Sequence, residues 1–275
     1  MTITPLSDAT LVARCRDGDQ GAWGELVERF SRYVYAIAVQ VYRLREEDAE
    51  DVFQEVFARA YERLDELRDD EAIRPWLAQV TRRLAVDRLR AGEREQPSQE
   101  GVDASASEET IARLDEALMV QEALSTLPER CQEILDRFFA RDQSYKTISG
   151  VLGIPPGTIA SRISRCLGKL RDTLGEDVEL HLRLDHRMET RYEEERIASL
   201  IAALPPAPAG WVEAATELPA LRRSVDDLLA RAEADQKFRA ALLDDLEAAL
   251  ESAGYEPERR LSDALRARLS DRAPE

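Results

Sequence analysis

Residues 151–165 read VLGIPPGTIASRISR, and this stretch limits the possible fold more than any other. Two prolines and two glycines at its start rule out one continuous helix. Gly153 suits the left-handed end of a short helix, YKTISGVL, for which Ser144 is the expected N-cap. Pro156 suits the first turn of the next helix, where its missing N–H goes unused and its φ is already helical. There Ile159, Ile163, Leu167 and Leu170 recur at spacings of four and three and must face a core. Upstream, LSTLPERCQEILDRFFA supplies a further amphipathic helix. The expectation is helix, tight turn, helix.

The rest of the chain agrees with a helical protein. Ala, Leu, Glu and Arg recur throughout, and bounded runs of Val, Ile, Thr and aromatics are missing. With 275 residues and only six Phe, three Trp and seven Tyr, several small cores are easier to fill than one large one. No run of about 18 apolar residues is present, and MTITPLSDAT lacks the basic-then-apolar order of a secretory signal, so a cytoplasmic protein with no membrane association is expected. Cys15, Cys131 and Cys166 lie far apart without a C-x-x-C pair. They are expected as small buried thiols, with neither a disulfide framework nor a zinc site.

Charge sorts the chain into segments. Residues 1–95 carry net −5, 96–123 net −6, 124–174 net +3 and 175–275 net −9, within a total of −17. The positive segment contains the Gly-Pro turn and the helix after it, whose charges from Gly157 to Arg171 are Arg162, Arg165, Lys169 and Arg171 with no acid among them. GEREQPSQEGVDASASEE, Gly92 to Glu109, is polar and acidic as a flexible linker is, and LPPAPAG, Leu204 to Gly210, is a proline break. The expected organisation is all-α: a helical domain over 1–91, an acidic flexible linker over 92–118, a helix-turn-helix domain over 119–175 and an acidic helical C-terminal extension over 176–275.

The inward stripe of the basic helix leaves a small, polar outer face suited to a major groove. Ala160, Ser161 and Ser164 permit close approach, Arg165 can reach a guanine edge or a phosphate, and Arg162, Lys169 and Arg171 can contact the backbone. In the first domain, Val52, Val56 and Ala60 can face inward, leaving Asp48, Asp51, Gln54 and Glu55 as an acidic outer surface that would repel DNA and suit a basic protein partner.

These residues carry a resemblance. The run LSTLPERCQEILDRFF with SYKTISGVLGIPPGTIASRISRCLGKLRDTL is similar to the promoter-upstream-binding domain of extracytoplasmic-function sigma factors of bacterial RNA polymerase. The segments DAEDVFQEVF and PWL…LAVDRLR resemble that family's other core domain, in the family's order, so that the likeness spans residues 6 to about 174. It implies that Asp48, Asp51, Gln54 and Glu55 dock on the polymerase β′ clamp. It implies that the second domain sits at the β flap, with Thr158, Ala160, Ser161, Arg162, Ser164, Arg165 and Lys169 on the minus-35 duplex. Glu66, Arg68, Arg74, Arg82, Arg83 and Arg88 would then lie on the melted minus-10 strand, where the arginines track its backbone as cations do. The linker would thread toward the RNA exit path. The acidic loop ELRDDEAI and Ala160, where many relatives carry Lys or Arg, depart from the family.

The competing class is a stand-alone helix-turn-helix regulator that binds duplex DNA, and the first domain, which such a regulator has no reason to carry, speaks against it. Catalysis is not expected: the chain has no Gly-rich phosphate loop and no Ser-His-Asp or Cys-His arrangement. Neither a cofactor nor a metal is expected, since His181 and His186 miss the i, i+4 spacing of two ligands on one helix face. Beyond residue 175, Leu221, Val225, Leu228, Leu229, Phe238, Leu242, Leu246 and Leu250 form apolar stripes, expected as a small helical hairpin or a groove-binding segment. The extension is read as regulatory, and an anti-sigma factor or other regulatory protein is a further expected partner.

Overall fold

The computed structural model describes residues 6–95, 104–177, 190–256 and 259–271. Every element among them is helical. The helices are α1 (Asp8–Arg16), α2 (Gln20–Ala36), α3 (Glu46–Arg63), α4 (Ile73–Glu95), α5 (Ala104–Thr126), α6 (Glu129–Leu135), α7 (Tyr145–Leu152), α8 (Pro156–Asp177), α9 (Thr190–Ala203), α10 (Ala209–Ala234), α11 (Gln236–Asp244), α12 (Leu246–Ser252) and α13 (Arg259–Asp271). The chain divides between Ala215 and Thr216 into two compact units.

In the first unit α1 to α4 close around Phe30, Tyr33, Phe53, Phe57, Ile73 and Leu77, all fully buried. Two caps set the entry of the chain: Ser7 accepts from Thr10 N, and Asp19 from Ala22 N. Asp19 also accepts from Arg14, and these bonds, the Ala22 amide first, hold its carboxyl below the ordinary value. Helix α2 ends in a π-helical turn, Ile37–Val41, after which Arg43 turns the chain with φ +49°. The helix-turn-helix domain repeats this device: α6 runs into a π turn, Asp136–Ala140, and Asp142 follows with φ +49°. In each case two amides reach back five and six residues, Tyr42 to Ile37 and Leu44 to Ala38, then Arg141 to Asp136 and Gln143 to Arg137. The widened turns satisfy carbonyls that a plain helix end would leave open.

The expected turn is present. Ser144 accepts from Thr147 N at 3.2 Å, Gly153 closes α7 with φ +63°, and α8 begins at Pro156. Ile159, Ile163, Leu167 and Leu170 are buried, against Ile134, Leu135 and Ile148.

Two expectations need correction. The flexible linker over 92–118 is helical from Ala104, and Leu114, Ala117 and Leu118 are buried, so this stretch is core rather than tether. Its apolar residues recur every three or four positions on through Val120 and Leu124, which gives an otherwise acidic segment one face to bury. Residues 96–103 lie outside the described residues. The cysteines are also not three free thiols: Cys131 on α6 and Cys166 on α8 form a disulfide with Cα atoms 5.4 Å apart. Packing of α6 on α8 brings together two residues 35 positions apart, a pairing no local spacing announces. Cys15 stays free, and burial pushes its thiol up to about 12.

In the second unit Val225, Leu228, Leu229, Phe238, Leu242 and Leu250 are buried as the stripes predict, with Leu221 and Leu246 partly so. Leu261 and Leu265 of α13 complete the cluster, so the unit is a packed group of helices rather than a hairpin. Arg231 lies 4.4 Å over the Phe238 ring.

Candidate nucleic-acid interface

Helix α8 presents its outer face as its periodicity requires. Ala160, Ser161, Ser164, Arg165 and Lys169 are exposed, while Thr158 and Arg162 are half-buried. Ser161 Oγ donates to Thr158 O at 3.0 Å, and Arg165 Nε donates to Ser161 O at 3.1 Å, which lays the guanidinium along the small-residue surface. Just behind Arg165, Cys166 fixes this part of the helix to α6. The face is small at its centre and cationic at its rim, the form a major-groove reader takes.

The cations of α4 are differently placed. Arg83 and Arg90 are exposed, but Arg74, Arg82 and Arg88 are already engaged. Arg74 Nη2 donates to Glu122 of α5 at 2.6 Å and to Asp8 at 3.4 Å. Arg82 Nη1 donates to Glu108 of α5 at 3.4 Å. Glu108, Asp115 and Glu122 are spaced by seven and so share one face of α5, which lies toward α4 and α2: Asp115 accepts from Tyr33 Oη. Burial pushes the Asp115 and Glu122 carboxyls above their ordinary values, although the Tyr33 hydroxyl and Arg74 respectively oppose it. Burial likewise raises the Tyr33 hydroxyl, helped by the Asp115 carboxylate.

In the loop before α4, Glu66 and Arg68 are exposed. Its course is fixed by a residue that sequence reasoning missed: Arg16 donates to Leu64 O at 2.9 Å, to Leu67 O at 2.6 Å and to Asp70 at 2.5 Å. A lone arginine at the end of α1 gives no sequence signal for that role. Trp76 is half-buried rather than core.

On α3, Val52, Val56 and Ala60 face inward as expected, with Phe53 and Phe57 beside them. Asp51 and Glu55 are exposed, and Glu55 accepts from Arg59 at 2.8 Å. Asp48 and Asp51 are both paired with Arg88 of α4, which joins residues expected at two different interfaces. Gln54 is half-buried, and its Nε2 donates to Trp211 O at 3.1 Å, beyond the proline break. No group of three His, Cys, Asp or Glu side chains among the described residues could hold a metal ion. No helix among them is long and apolar enough to cross a membrane. His181 and His186 lie outside the described residues.

Comparison with known proteins matches both halves of this arrangement. Residues 26–95 match the family model of sigma-70 region 2, and residues 117–170 that of sigma-70 region 4. The ECF RNA polymerase sigma-E factor of Escherichia coli strain K12 is 33% identical over 175 residues, 58% of this chain and 90% of that protein. The ECF RNA polymerase sigma factor SigM of Mycobacterium tuberculosis is 29% identical over 169 residues, 62% of this chain and 85% of that protein. A probable RNA polymerase sigma factor, RfaY of Xanthomonas campestris, is 32% identical over 166 residues, 57% of this chain, and the match spans 41% of its length.

Proposed function

Because the chain belongs to the extracytoplasmic-function family of RNA polymerase sigma factors, we propose that it binds core polymerase and directs it to a promoter whose two elements are read by α8 and by the region around α4. The observation that carries this reading is the exposed face of α8, Ala160 to Lys169, set in the same chain as a region 2 domain of opposite surface charge. Arg165 reads a base edge of the minus-35 duplex, Ala160, Ser161 and Ser164 admit the groove wall, and Thr158, Arg162 and Lys169 grip phosphates. Arg68, Arg74, Arg82, Arg83 and Arg88 hold the backbone of the melted minus-10 strand, and Glu66 lies beside its bases. Asp48, Asp51, Gln54 and Glu55 dock on the β′ clamp, and the helix-turn-helix domain meets the β flap.

The protein acts in the cytoplasm, without catalytic chemistry of its own, and its extension regulates it, alone or with an anti-sigma factor. A stand-alone regulator would give α3 no partner. Reconstituted transcription tests the reading: core polymerase with the purified full chain should start at discrete sites on fragments of the source genome, and Asp51→Arg with Glu55→Arg should abolish those starts. Unchanged starts without the protein, or with the doubly reversed variant, would overturn it.

A further inference from the structure

The segment from Ala203 to Ala215 joins α9 to the first turns of α10 and carries the proline break. It lies on the first helical domain, α1 to α4. Four side chains of that domain donate to four of its main-chain carbonyls: Gln40 Nε2 to Ala203 O at 2.9 Å, Arg32 Nη1 to Leu204 O at 3.1 Å, Gln54 Nε2 to Trp211 O at 3.1 Å and Trp23 Nε1 to Ala215 O at 2.9 Å. Between these bonds the Trp211 ring, 7% exposed, packs edge-on to Tyr35 at 5.6 Å and tilted against Phe53 at 5.7 Å. Leu204 is fully buried.

One of the acceptors is made available by the sequence itself. Pro219 lies inside α10, and a residue at that position would ordinarily donate its amide to the carbonyl four residues earlier, Ala215. Proline has no such amide. The Ala215 carbonyl is therefore open within its helix, and the buried Trp23 indole takes it. Arg32 adds a second tie, since its Nη2 also approaches Asp136 of the helix-turn-helix domain at 2.6 Å with both side chains mostly buried. Helix α9 packs against α5, α8 and the π turn at Asp136–Ala140, and Arg196 donates to Glu116 of α5 at 2.9 Å.

We propose that residues 203–215 are an internal clasp that competes with core polymerase for region 2 and holds the helix-turn-helix domain back against it, so that the described arrangement is a closed state. This rests on the reading that the α3 face around Gln54 docks on polymerase. Gln54 cannot be half-buried under the Trp211 carbonyl and lie on a clamp surface at once. Polymerase binding therefore requires the clasp to leave, and the apparent affinity is lowered by the fraction of molecules that are open.

Hydrogen exchange on the full chain tests this directly. Amides 209–215 should be protected in the free protein and lose protection when core polymerase is added, while those of α8 keep theirs. Trp211→Ala in the full chain should raise affinity for core by about 10-fold or more, the gain expected when an open state near 10% or less becomes dominant. If the variant fails to fold, the exchange measurement on the unaltered chain decides alone. Binding of core with residues 209–215 still protected overturns the clasp and leaves the sigma reading intact. Failure of the unaltered chain and of a folded Trp211→Ala variant to bind core overturns both.

Discussion

Arg165 and Lys169 stand one turn apart on the same exposed helix face, and the account gives them different work. Arg165 is held along the small surface of α8 by its bond to Ser161 O, so Arg165→Ala should cost about 1 to 3 kcal/mol at one minus-35 position and relax preference there. Lys169→Ala should weaken all sequences alike. Transcription from a set of single-base promoter variants separates the two, and equal, uniform losses would assign Arg165 to phosphate. Glu122 makes a second prediction. Its carboxyl is pushed above the ordinary 4.5 by burial, against the pull of Arg74, so the folded state favours the protonated form. Its contribution to stability is complete below pH 4.5 and is lost as pH rises through the raised value. Glu122→Gln fixes the neutral form, and its melting temperature should exceed that of the unaltered chain at pH 8, the two converging toward pH 4. A variant less stable at pH 8 that converges with the unaltered chain toward pH 4 would show that the ion pair outweighs its desolvation.

At the scale of elements, what could be read from the sequence was what local chemistry determines. Ser144, Gly153 and Pro156 each have one favoured place at a helix end, and the Ile159 to Leu170 stripe fixed which side of α8 is exposed. Helix α5 was missed because the polar run Gly92 to Glu109, which includes its first residues, hid the buried apolar spacing that begins at Leu114. The pairing of its acids with Arg74 and Arg82 was invisible for another reason: the seven-residue spacing of Glu108, Asp115 and Glu122 puts them on one face of a helix but does not say which helix that face meets. The Cys131–Cys166 bond likewise depends on how α6 meets α8. A cross-link closing 35 residues is worth at most about 4 kcal/mol by loop entropy, so reduction should lower the melting temperature of the helix-turn-helix domain, and Cys131→Ser should lower it equally and abolish the response to reductant. Identical melts with and without reductant would show that packing of α6 on α8 suffices.

For the whole molecule, net charge and arrangement act in the same direction. A chain at −17 is repelled by DNA at long range, and the described state adds local neutralisation of its own cations. Arg74, Arg82 and Arg88 are paired with Glu122, Glu108 and the Asp48–Asp51 pair, so the minus-10 contacts proposed for them would require these bonds to be exchanged for phosphates. The division into region 2 and region 4 halves followed from sequence, but their joining through α5, α9 and the Ala203 to Ala215 segment did not, because those contacts link positions far apart in the chain, from 48 residues for Arg74 and Glu122 to 192 for Trp23 and Ala215. The central claim is that this protein reads promoter DNA only as part of the polymerase. Fluorescence anisotropy of a labelled promoter duplex, titrated with the full chain at fixed ionic strength with and without core polymerase, tests it most directly. The account predicts weak binding without sequence preference for the protein alone, and tight, promoter-selective binding once core is present; tight, selective binding by the protein alone would contradict it.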